Sequence, residues 1–551
     1  MVTYNKNDKE DIGQDEYESE NSEKKAYIKA ICDRFERVRS DRSIWENHWA
    51  EAFKYIIPRK GAVTTTHVAG DKYGNELFDT TAIAANQLLA GALHGRLTNP
   101  AAQFFEFTTN DPQLDEQDDV RAWLQIATQR THVVLNSSNF QTETHEVYLD
   151  LGAIGSSCMF ISENDDTFVH FSARYMKEIF VEENNLGRVD TVYRLFQWDL
   201  RQVVQEFGED SLPAEYYRKY EKGDMDKYDI LHVVRPQDDE GKKKYFAYKS
   251  CYILLECKHQ LSEGGFEEFP YAVPRWTKTT GEVYGRGPGT EMLPDIKMVN
   301  EMMKAVLQGA QKAVNPPLMV SDDCVLGNIR LTPSGLTVVR DIERIPVRPL
   351  ITDTRIDFGY QAVDDVRKRI RTGFYVDQLQ LKEGPQMTAT EVMQRAEDTL
   401  SLMGPVMGRQ HHEYLSPLVT RVFRICYRKG VYPKIPEALQ GREISVKYSS
   451  LVAKAQRASE GVAFTRAIQQ VAPILQMAPQ SMDIIDPDAA IRYLLTDVYG
   501  LPYKLLRDKN EIKKIRTAKA EQAAQMQAQQ QQMQQAEMAS KVLPAASQVM
   551  G

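Results

Sequence analysis

Cysteine and histidine side chains that could bind a metal ion occur in two places in the sequence. Cys251, Cys257 and His259 have the same parity in one predicted strand, so their side chains would share a face. A structural zinc site takes four such ligands, and no fourth ligand stands at a standard spacing. The pattern therefore favours buried thiols over a metal site.

The second place is the adjacent pair His411 and His412. Successive helical residues diverge by about 100°, so the pair favours a solvated or packed position over joint ligation of one ion. The dipeptides His145-Glu146 and His412-Glu413 both lack the second histidine of the HExxH zinc motif.

Two glycine-rich segments could approach a phosphate group. Residues 152–157 are not followed by Gly-Lys-Ser/Thr, so a tight turn into a strand is favoured there. Residues 285–290, Gly-Arg-Gly-Pro-Gly-Thr, lack the third glycine of a dinucleotide-binding fingerprint. No nucleophile elbow or zinc-finger spacing occurs either. The sequence therefore predicts no enzyme, with no catalytic residue, no cofactor and no metal.

Composition limits the possible partners. The chain has 551 residues and a formal net charge of −9, which argues against a protein that coats nucleic acid but not against one that nucleic acid slides past. Its six cysteines are scattered, as expected in a reducing cytoplasm. There is no signal peptide and no apolar run of 18 residues, so we predict no membrane association.

The strongest helical periodicity lies between Gly289 and Gly404. A first helix is predicted from Asp295 to Val314, and Asn315-Pro316-Pro317 ends it because proline lacks an N–H. A narrow apolar seam of the kind that packs on another helix runs along Ile296, Val299, Met303, Leu307, Ala310 and Val314. The insert that follows is β-like at Leu318–Val320, Gly335–Val339 and Pro346–Leu350.

A second helix is predicted from Phe358 onward, with Ala362, Val363, Val366 and Ile370 on one face. Residues 376–386 fit neither periodicity and are predicted to form a loop. Thr388 and Glu391 then restart a helix as a capping box. The two helices would form a hairpin around a small β module, and nothing in it resembles a catalytic pocket.

The second hairpin helix carries a distinctive charge pattern. Two acids stand four residues before a base, Asp364 before Lys368 and Asp365 before Arg369, which is the favourable order. Arg367 and Arg371 form a further stripe that has no acidic partner on the helix. Either the stripe is a solvated face, or it contacts phosphate or a neighbouring subunit.

The flanking segments show simpler patterns. Residues 1–23 are acidic and predicted to be disordered. A long helix follows to Pro58, with Ile28, Ile31, Phe35 and Val38 on one face, and with Trp45 and Trp49 as core residues. Strands are predicted at Phe168–Phe171, Ile179–Glu182, Val189–Phe196, Ile230–Val234 and Lys244–Lys258, and short helices near 199–207 and 213–221.

The C-terminal third is predicted to be helical. A helix from Thr388 to Gly430 should kink at Pro405 and Pro417, where backbone hydrogen bonds are lost. Helices near 453–477 and 488–506 follow. The glutamine-rich segment 508–540 is compatible with a helix that bundles with copies of itself, or with disorder.

Four stretches resemble the head-to-tail connector, or portal protein, of short-tailed bacteriophages. They are DTTAIAANQLLAGALHGRLTNPAAQFFEF, SNFQTETHEVYLDLGAIGSSCMFI, PRWTKTTGEVYGRGPGTEMLPDIKMVNEM and MTATEVMQRAED. They lie between residues 79 and 398 and follow the family's order, and the resemblance as a whole runs from about residue 27 to 400, which is most of the chain. The last two stretches are the more specific.

The resemblance implies an α+β, mainly helical subunit with a mixed α/β wing, a helical stem hairpin, a small β clip and a helical crown. The implied segments are a disordered N-terminus 1–23, a wing 24–288, a first stem helix 289–314, a clip 315–356, a second stem helix 357–375, a tunnel loop 376–386, a long kinked helix returning to the wing 387–452, a crown 453–507 and a glutamine-rich tail 508–551.

The function implied is a homo-oligomeric ring, usually of twelve subunits, at one capsid vertex of the virion. Double-stranded DNA would pass through it during packaging and ejection, with terminase, the major capsid protein, scaffold and tail or adaptor proteins as partners and no membrane. The alternatives are a metal-dependent nucleic-acid enzyme and a structural adaptor that never contacts DNA. We predict that the DNA channel involves Arg367, Arg371, Lys368, Lys382, Leu379 and Leu381, with hinges at Gly373, Gly384 and Pro385.

Overall fold

The computed structural model is mainly helical with several small antiparallel sheets, which confirms the predicted α+β class. It describes residues 14–65, 70, 72–115, 117–237, 246–314, 318–320, 347–349, 356–379, 403–448, 486–495, 507 and 509–546, and isolated positions between 463 and 470.

Helices make up most of the described chain. They are α1 Gln14–Ile56, α2 Thr81–Leu97, α3 Pro112–Asp115, α4 Asp118–Ser137, α5 Phe140–Ile154, α6 Leu200–Phe207, α7 Ala214–Glu221, α8 Pro288–Glu291, α9 Leu293–Val314, α10 Ile356–Gly373, α11 Val376–Leu379, α12 Ser416–Arg428, α13 Pro487–Tyr493 and α14 Lys509–Ala546.

The strands are short and lie mostly between α5 and α8. They are β1 Phe105–Thr109, β2 Cys158–Asn164, β3 Phe168–Arg174, β4 Ile179–Glu183, β5 Val189–Asp199, β6 Lys227–Pro236, β7 Tyr248–Leu254, β8 His259–Phe266, β9 Tyr271–Ala272, β10 Leu318–Val320, β11 Val347–Pro349 and β12 Ile444–Tyr448.

The largest sheet has five antiparallel strands in the order β4-β5-β6-β7-β8. Ile28, Ile31 and Phe35 of α1 are buried against one face of it, as the spacing of the apolar residues predicts. Trp49, further along α1, is also fully buried, which confirms its place in the core. The long helix α1 is therefore stabilised by packing on a sheet whose strands lie more than 100 residues later in the sequence.

One predicted strand of this sheet is wrong in extent. The segment Lys244–Lys258 contains β7, which ends at Leu254, and a turn follows before β8. Strand β8 is missing from the prediction because it includes Gly264 and Gly265, and glycine has no side chain that packs on a pleated surface.

The N-terminus is more ordered than predicted. Helix α1 begins at Gln14, so the prediction of disorder for residues 1–23 is wrong for residues 14–23. Glutamate and lysine are good helix formers, and extending a helix that tertiary packing already anchors needs no new nucleus. Acidic composition therefore did not prevent helix formation.

The long helix after residue 388 is described from residue 403. Residues 403–410 are helical, and a π-helical turn, His411–Leu415, joins them to α12. Ser416 donates its N–H to the His411 carbonyl five residues back, directly before Pro417, which has no N–H to donate. The helix thus leaves α-helical geometry directly before Pro417, whereas the kinks at Pro405 and Pro417 stay predictions and Thr388 lies outside the described residues.

The chain folds as two compact units, residues 1–105 with 130–431, and residues 106–129 with 432–551. In the second unit β1 pairs with β12, and the Trp123 Nε1–H donates to the Pro433 carbonyl at 3.1 Å. The glutamine-rich segment is part of the long helix α14, Lys509–Ala546, whereas its bundling with other copies stays a prediction. Most of the predicted crown, 453–507, lies outside the described residues.

Among the described residues, no helix combines the length and the apolarity that crossing a bilayer would require.

Candidate functional site

The two predicted hairpin helices are present as α9 and α10, within two residues of their predicted starts and ends. They run out to the β insert and back, and they pack on each other. In the insert, β10 pairs with β11 in antiparallel register, which confirms two of its three predicted strands. The third, Gly335–Val339, lies outside the described residues.

Burial changes along the hairpin. At its base, Val299 of α9 and Ile370 of α10 are fully buried. Toward the β insert, the same apolar seam is uncovered: Leu307 is 36% exposed and Val314 is 88% exposed. Phe358, at the corresponding end of α10, is 73% exposed. The seam identified in the sequence is therefore covered only at the base of the hairpin.

The base of the hairpin contains a buried ion pair. Arg367 of α10 donates from Nε to Asp79 Oδ2 at 2.8 Å, and its Nη2 lies 2.7 Å from the same oxygen. The Asp79 side chain is 2% exposed, and its Oδ1 accepts the Thr81 N–H at the start of α2. Burial by itself would raise the pKa of Asp79, but the hydrogen bonds from Thr81 and Arg367 outweigh it and lower that pKa.

A second polar contact holds the same segment. Asn300 of α9 accepts the Phe78 N–H at 2.8 Å and donates to the Glu76 carbonyl at 3.0 Å. Residues 76–79 are thus tied to α9 by Asn300 and to α10 by Arg367, immediately before α2. We call Asp79, Asn300 and Arg367 the hairpin latch.

The charge pattern predicted for α10 is wrong in its pairing. Arg367 does have an acidic partner on the helix, since Asp364 lies 3.3 Å away, besides Asp79. Lys368 pairs with Asp365 three residues back, and Arg369 with Asp295 of α9 at 3.7 Å. Positions three apart are as close on a helix as positions four apart, and long side chains turn toward a tertiary partner when one is in reach.

Arg371 and Lys368 differ from Arg367 in their surroundings. Both are exposed, and Arg371 forms no ion pair with the residues that the structure describes. These two side chains are therefore available at the surface of α10, whereas Arg367 is committed to the hairpin latch.

The start of the predicted loop 376–386 is helical. Residues Val376–Leu379 form the single turn α11, Val376 is buried, and Leu379 is half-buried, so the loop prediction is wrong for these four residues. The chain turns at Tyr375, whose φ is +59°. The buried side chain of Val376 stabilises this helical turn, which the irregular spacing of the apolar residues did not predict. Leu381, Lys382, Gly384 and Pro385 lie outside the described residues.

Gly373, a predicted hinge, ends α10 beside Met292. A Cβ atom on Gly373 would lie 2.4 Å from the Met292 sulfur, so a larger residue at this position would require the flexible Met292 side chain to move. Its hinge role stays a prediction.

The candidate metal ligands are separated. Cys251 is buried in the α1–sheet core, Cys257 is exposed in the turn after β7, and His259 contacts the Ser211 carbonyl through Nε2 at 3.2 Å. The prediction of a buried thiol holds for Cys251 and is wrong for Cys257. In the described part of the chain, no three His, Cys, Asp or Glu side chains come together as a possible metal site.

The histidine pair diverges as predicted. His412 Nε2 lies 3.1 Å from an Arg188 guanidinium nitrogen at the surface, whereas burial lowers the pKa of His411. Since Arg188 can only donate, Nε2 of His412 is the acceptor in this contact.

The glycines of residues 285–289 serve packing. Cβ atoms on Gly285, Gly287 and Gly289 would lie 2.4, 2.7 and 2.3 Å from backbone atoms of α5 or the turn after it. Gly155, in that turn, has φ +77°, which confirms the tight turn predicted there. This contact sets the position of α8 and hence the start of α9.

Sequence reasoning missed Arg275, which is buried and precedes these glycines in the same sequence motif. Its guanidinium contacts the carboxylates of Glu183 and Glu413 and donates to the Gly187 and Val283 carbonyls at 3.1 Å. The partners raise the pKa of Arg275 despite its burial. The signal was the position of Arg275 inside a specific motif, PRWTKTTGEVYGRGPG, which no helix or strand periodicity explains.

Comparison with known proteins gives a consistent result. A family model described as bacteriophage head to tail connecting protein matches residues 29–506. The chain is 31% identical over 508 residues to the probable portal protein of Bordetella phage BPP-1, covering 90% of this chain and 91% of that protein. It is 27% identical over 521 residues to the portal protein of Salmonella phage epsilon15, covering 91% and 92%.

The resemblance seen in the four sequence stretches is thereby confirmed, since the family match over residues 29–506 includes all four of them. On this evidence, the protein belongs to the bacteriophage head to tail connecting protein family.

Proposed function

We propose that this chain is a portal subunit that closes into a ring, of about twelve copies, at one capsid vertex. The ring is the conduit for double-stranded DNA during packaging and ejection. Family membership supports this proposal, and so do the portal proteins named among its relatives.

The observation that carries the proposal is the burial change along the hairpin. Leu307, Val314 and Phe358 are exposed, whereas Val299 and Ile370 at the base of the same two helices are fully buried. Covering one large apolar side chain contributes about 1.5–3 kcal/mol. The two helices of one hairpin leave these side chains uncovered, whereas a neighbouring hairpin on each side could cover them.

The net charge suits a conduit. Twelve copies at −9 each would carry about −108. Such an assembly as a whole would repel a DNA duplex, so its contacts with the DNA would be weak. Weak contacts allow the duplex to slide, whereas tight binding of its phosphates would stall translocation. Within the channel we assign surface contacts to Lys368 and Arg371, and to Lys382, Leu379 and Leu381 in and beside the tunnel loop.

The partners follow from the proposed layout. The β insert 315–356 docks the terminase packaging motor and later the tail or adaptor proteins, while the capsid protein and scaffold contact the outer surface. ATP hydrolysis belongs to the motor, since this sequence contains no phosphate-binding loop.

Negative-stain microscopy of the purified full chain tests the ring. We expect closed rings with an axial hole in the wild-type protein. The variant Leu307→Gln/Phe358→Gln should shift the population toward monomers, because it makes the exposed seam polar. Met225→Gln, which changes a more exposed apolar residue outside the hairpin, should leave rings intact. Monomers or open filaments from the wild type would refute the proposal.

A further inference from the structure

A cleft of about 920 Å³ lies within the first compact unit, away from the hairpin. Its lining includes residues 184–190, which connect β4 to β5, residues 267–278, and the segment 409–424 with the π-helical turn and part of α12. Ligand sites in proteins typically have volumes of about 300–1,000 Å³, and π-helical turns are frequent at functional sites. The cleft is therefore large enough for a ligand or a short peptide.

The cleft is more positively charged than the rest of the chain. Among the described residues that line it, six side chains are cationic, Arg188, Arg275, Lys278, Arg409, Arg421 and Arg424, and four are acidic, Asp190, Glu267, Glu268 and Glu413. The lining thus has a surplus of two positive charges, although the whole chain has a net charge of −9. Local positive charge on an acidic protein favours an anionic ligand.

Three of the cations share two carboxylates. The buried Arg275 contacts both Glu183 and Glu413, while Lys278 also contacts Glu183 and Arg409 lies 3.1 Å from Glu413. Arg275 uses all five of its side-chain N–H groups within the protein. Arg409 donates to Glu413 through Nη1 alone, and its side chain is 34% exposed. Arg275 therefore positions the carboxylates, whereas Arg409 keeps donors for a ligand.

Arg188 is the fourth cation at this end of the cleft. It forms no ion pair with the residues that the structure describes, and its Nη2 donates to His412 instead. Its backbone is fixed in a turn, because Asn184 Oδ1 accepts the Arg188 N–H at 3.0 Å and the Asn184 N–H donates to the Arg188 carbonyl at 2.9 Å. A positioned guanidinium with free donors pairs well with a carboxylate, and little order remains to be imposed when it binds.

Apolar side chains line the same cleft. Leu186, in the turn that carries Arg188, is 74% exposed, and Tyr248, Phe269 and Val273 lie deeper in the sequence of lining residues. A string of phosphates would not use this apolar surface and would meet the acidic Asp190 and Glu267. Uncovered apolar surface beside arginines instead suits a peptide that carries both carboxylates and apolar side chains.

We propose that this cleft binds an acidic peptide segment of a partner protein. Carboxylates of the segment pair with Arg188, Lys278 and Arg409, and an apolar side chain of the segment packs on Leu186. Because all lining residues belong to one copy of the chain, the site does not depend on the ring proposed above.

Fluorescence anisotropy with a labelled synthetic peptide, Glu-Leu-Glu-Glu-Leu-Glu, tests the site on the full-length protein. We expect saturable binding at roughly 0.01 M ionic strength, where screening extends over about 30 Å. Arg188→Gln/Arg409→Gln should weaken binding by about tenfold or more, since it removes two charged donors. Leu186→Ser should weaken it by about threefold or more. The matched control Lys222→Gln/Lys227→Gln removes two exposed cations outside the cleft and should bind as the wild type does.

Two further probes identify the ligand class. The peptide with Gln in place of every Glu should not bind, and the peptide with Ser in place of every Leu should bind more weakly. If Arg188→Gln/Arg409→Gln fails to fold by circular dichroism, Arg188→Gln alone carries the test, because this side chain lies on an exposed turn.

Three results would overturn the proposal: no binding of the peptide to the wild type, equal binding to the wild type and the arginine variant, or unchanged binding to Leu186→Ser. Duplex DNA that displaces the peptide and binds Leu186→Ser as well as the wild type would also overturn it, in favour of a phosphate site. None of these results bears on ring formation, which negative-stain images of the same samples report separately.

Discussion

The hairpin latch allows a sharp test, because Arg367 and Arg371 lie one turn apart on α10 in different surroundings. Replacing Arg367 by Gln leaves the Asp79 carboxylate, 2% exposed, with the Thr81 N–H and without its charged partner. Losing one partner of a fully buried ion pair costs about 3–5 kcal/mol. Since the Arg367 side chain is 29% exposed, we expect about 1–3 kcal/mol here.

Hydrogen exchange of the full-length protein would detect this loss locally. The Phe78 and Thr81 amides, which donate to Asn300 and Asp79, should exchange about tenfold faster or more in Arg367→Gln, because 1.4 kcal/mol corresponds to a factor of ten. Arg371→Gln is the matched control, and as an exposed change it should stay within about 0.5 kcal/mol of the wild type.

The effect should also depend on pH. The pKa of Asp79 is lowered in the folded protein, so the pair stabilises fully above the ordinary aspartate pKa of about 3.9. Its contribution is lost as the pH falls through the lower folded pKa. The difference between wild type and Arg367→Gln should therefore shrink below about pH 4. Equal exchange in Arg367→Gln and Arg371→Gln at neutral pH would refute the latch.

Three further predictions concern packing and the two ends of the proposed channel. Gly289→Ala should destabilise the protein by about 1–3 kcal/mol in thermal unfolding, because its Cβ would lie 2.3 Å from the Ala153 carbonyl oxygen, whereas Gly91→Ala, in an open helical position, should be neutral or stabilising. Equal melting of the two variants would contradict this packing. Replacing residues 315–356 by a Gly/Ser linker should leave rings or partial rings but abolish tail attachment, and normally tailed particles would contradict it. Deleting Gln378 to Glu383 should permit capsid assembly but yield heads that lose their genome. Full heads that retain DNA at wild-type levels would contradict this prediction.

Local sequence patterns determined many of the elements. The spacing of Ile28, Ile31 and Phe35 predicts the face of α1 that is buried, and the apolar seams predict α9 and α10 nearly to the residue. Periodicity works here because a helix or strand exposes its own side chains at fixed angles, whatever it packs against. The family could also be identified from the sequence, since specific motifs occur in the chain in the order that is typical of the family.

The partners of individual side chains were decided by the tertiary structure. The sequence predicts no acidic partner for Arg367 on its own helix, and its main partner, Asp79, lies 288 residues away in the sequence. Strand β8 was missed because its glycines have no periodic signal, and α11 because one buried valine secures it. In each case the stabilising contact joins segments that no window of neighbouring residues contains.

The glycines of residues 285–289 show the same division most clearly. As a pattern they suggested an incomplete nucleotide-binding turn, and the sequence could only reject that motif. The structure places them within 2.3 to 2.7 Å, measured from a hypothetical Cβ, of the backbone around the end of α5. The sequence shows that these positions have no side chain. The physical reason is that the backbone of another segment leaves no room for one, and only folding brings that segment into contact.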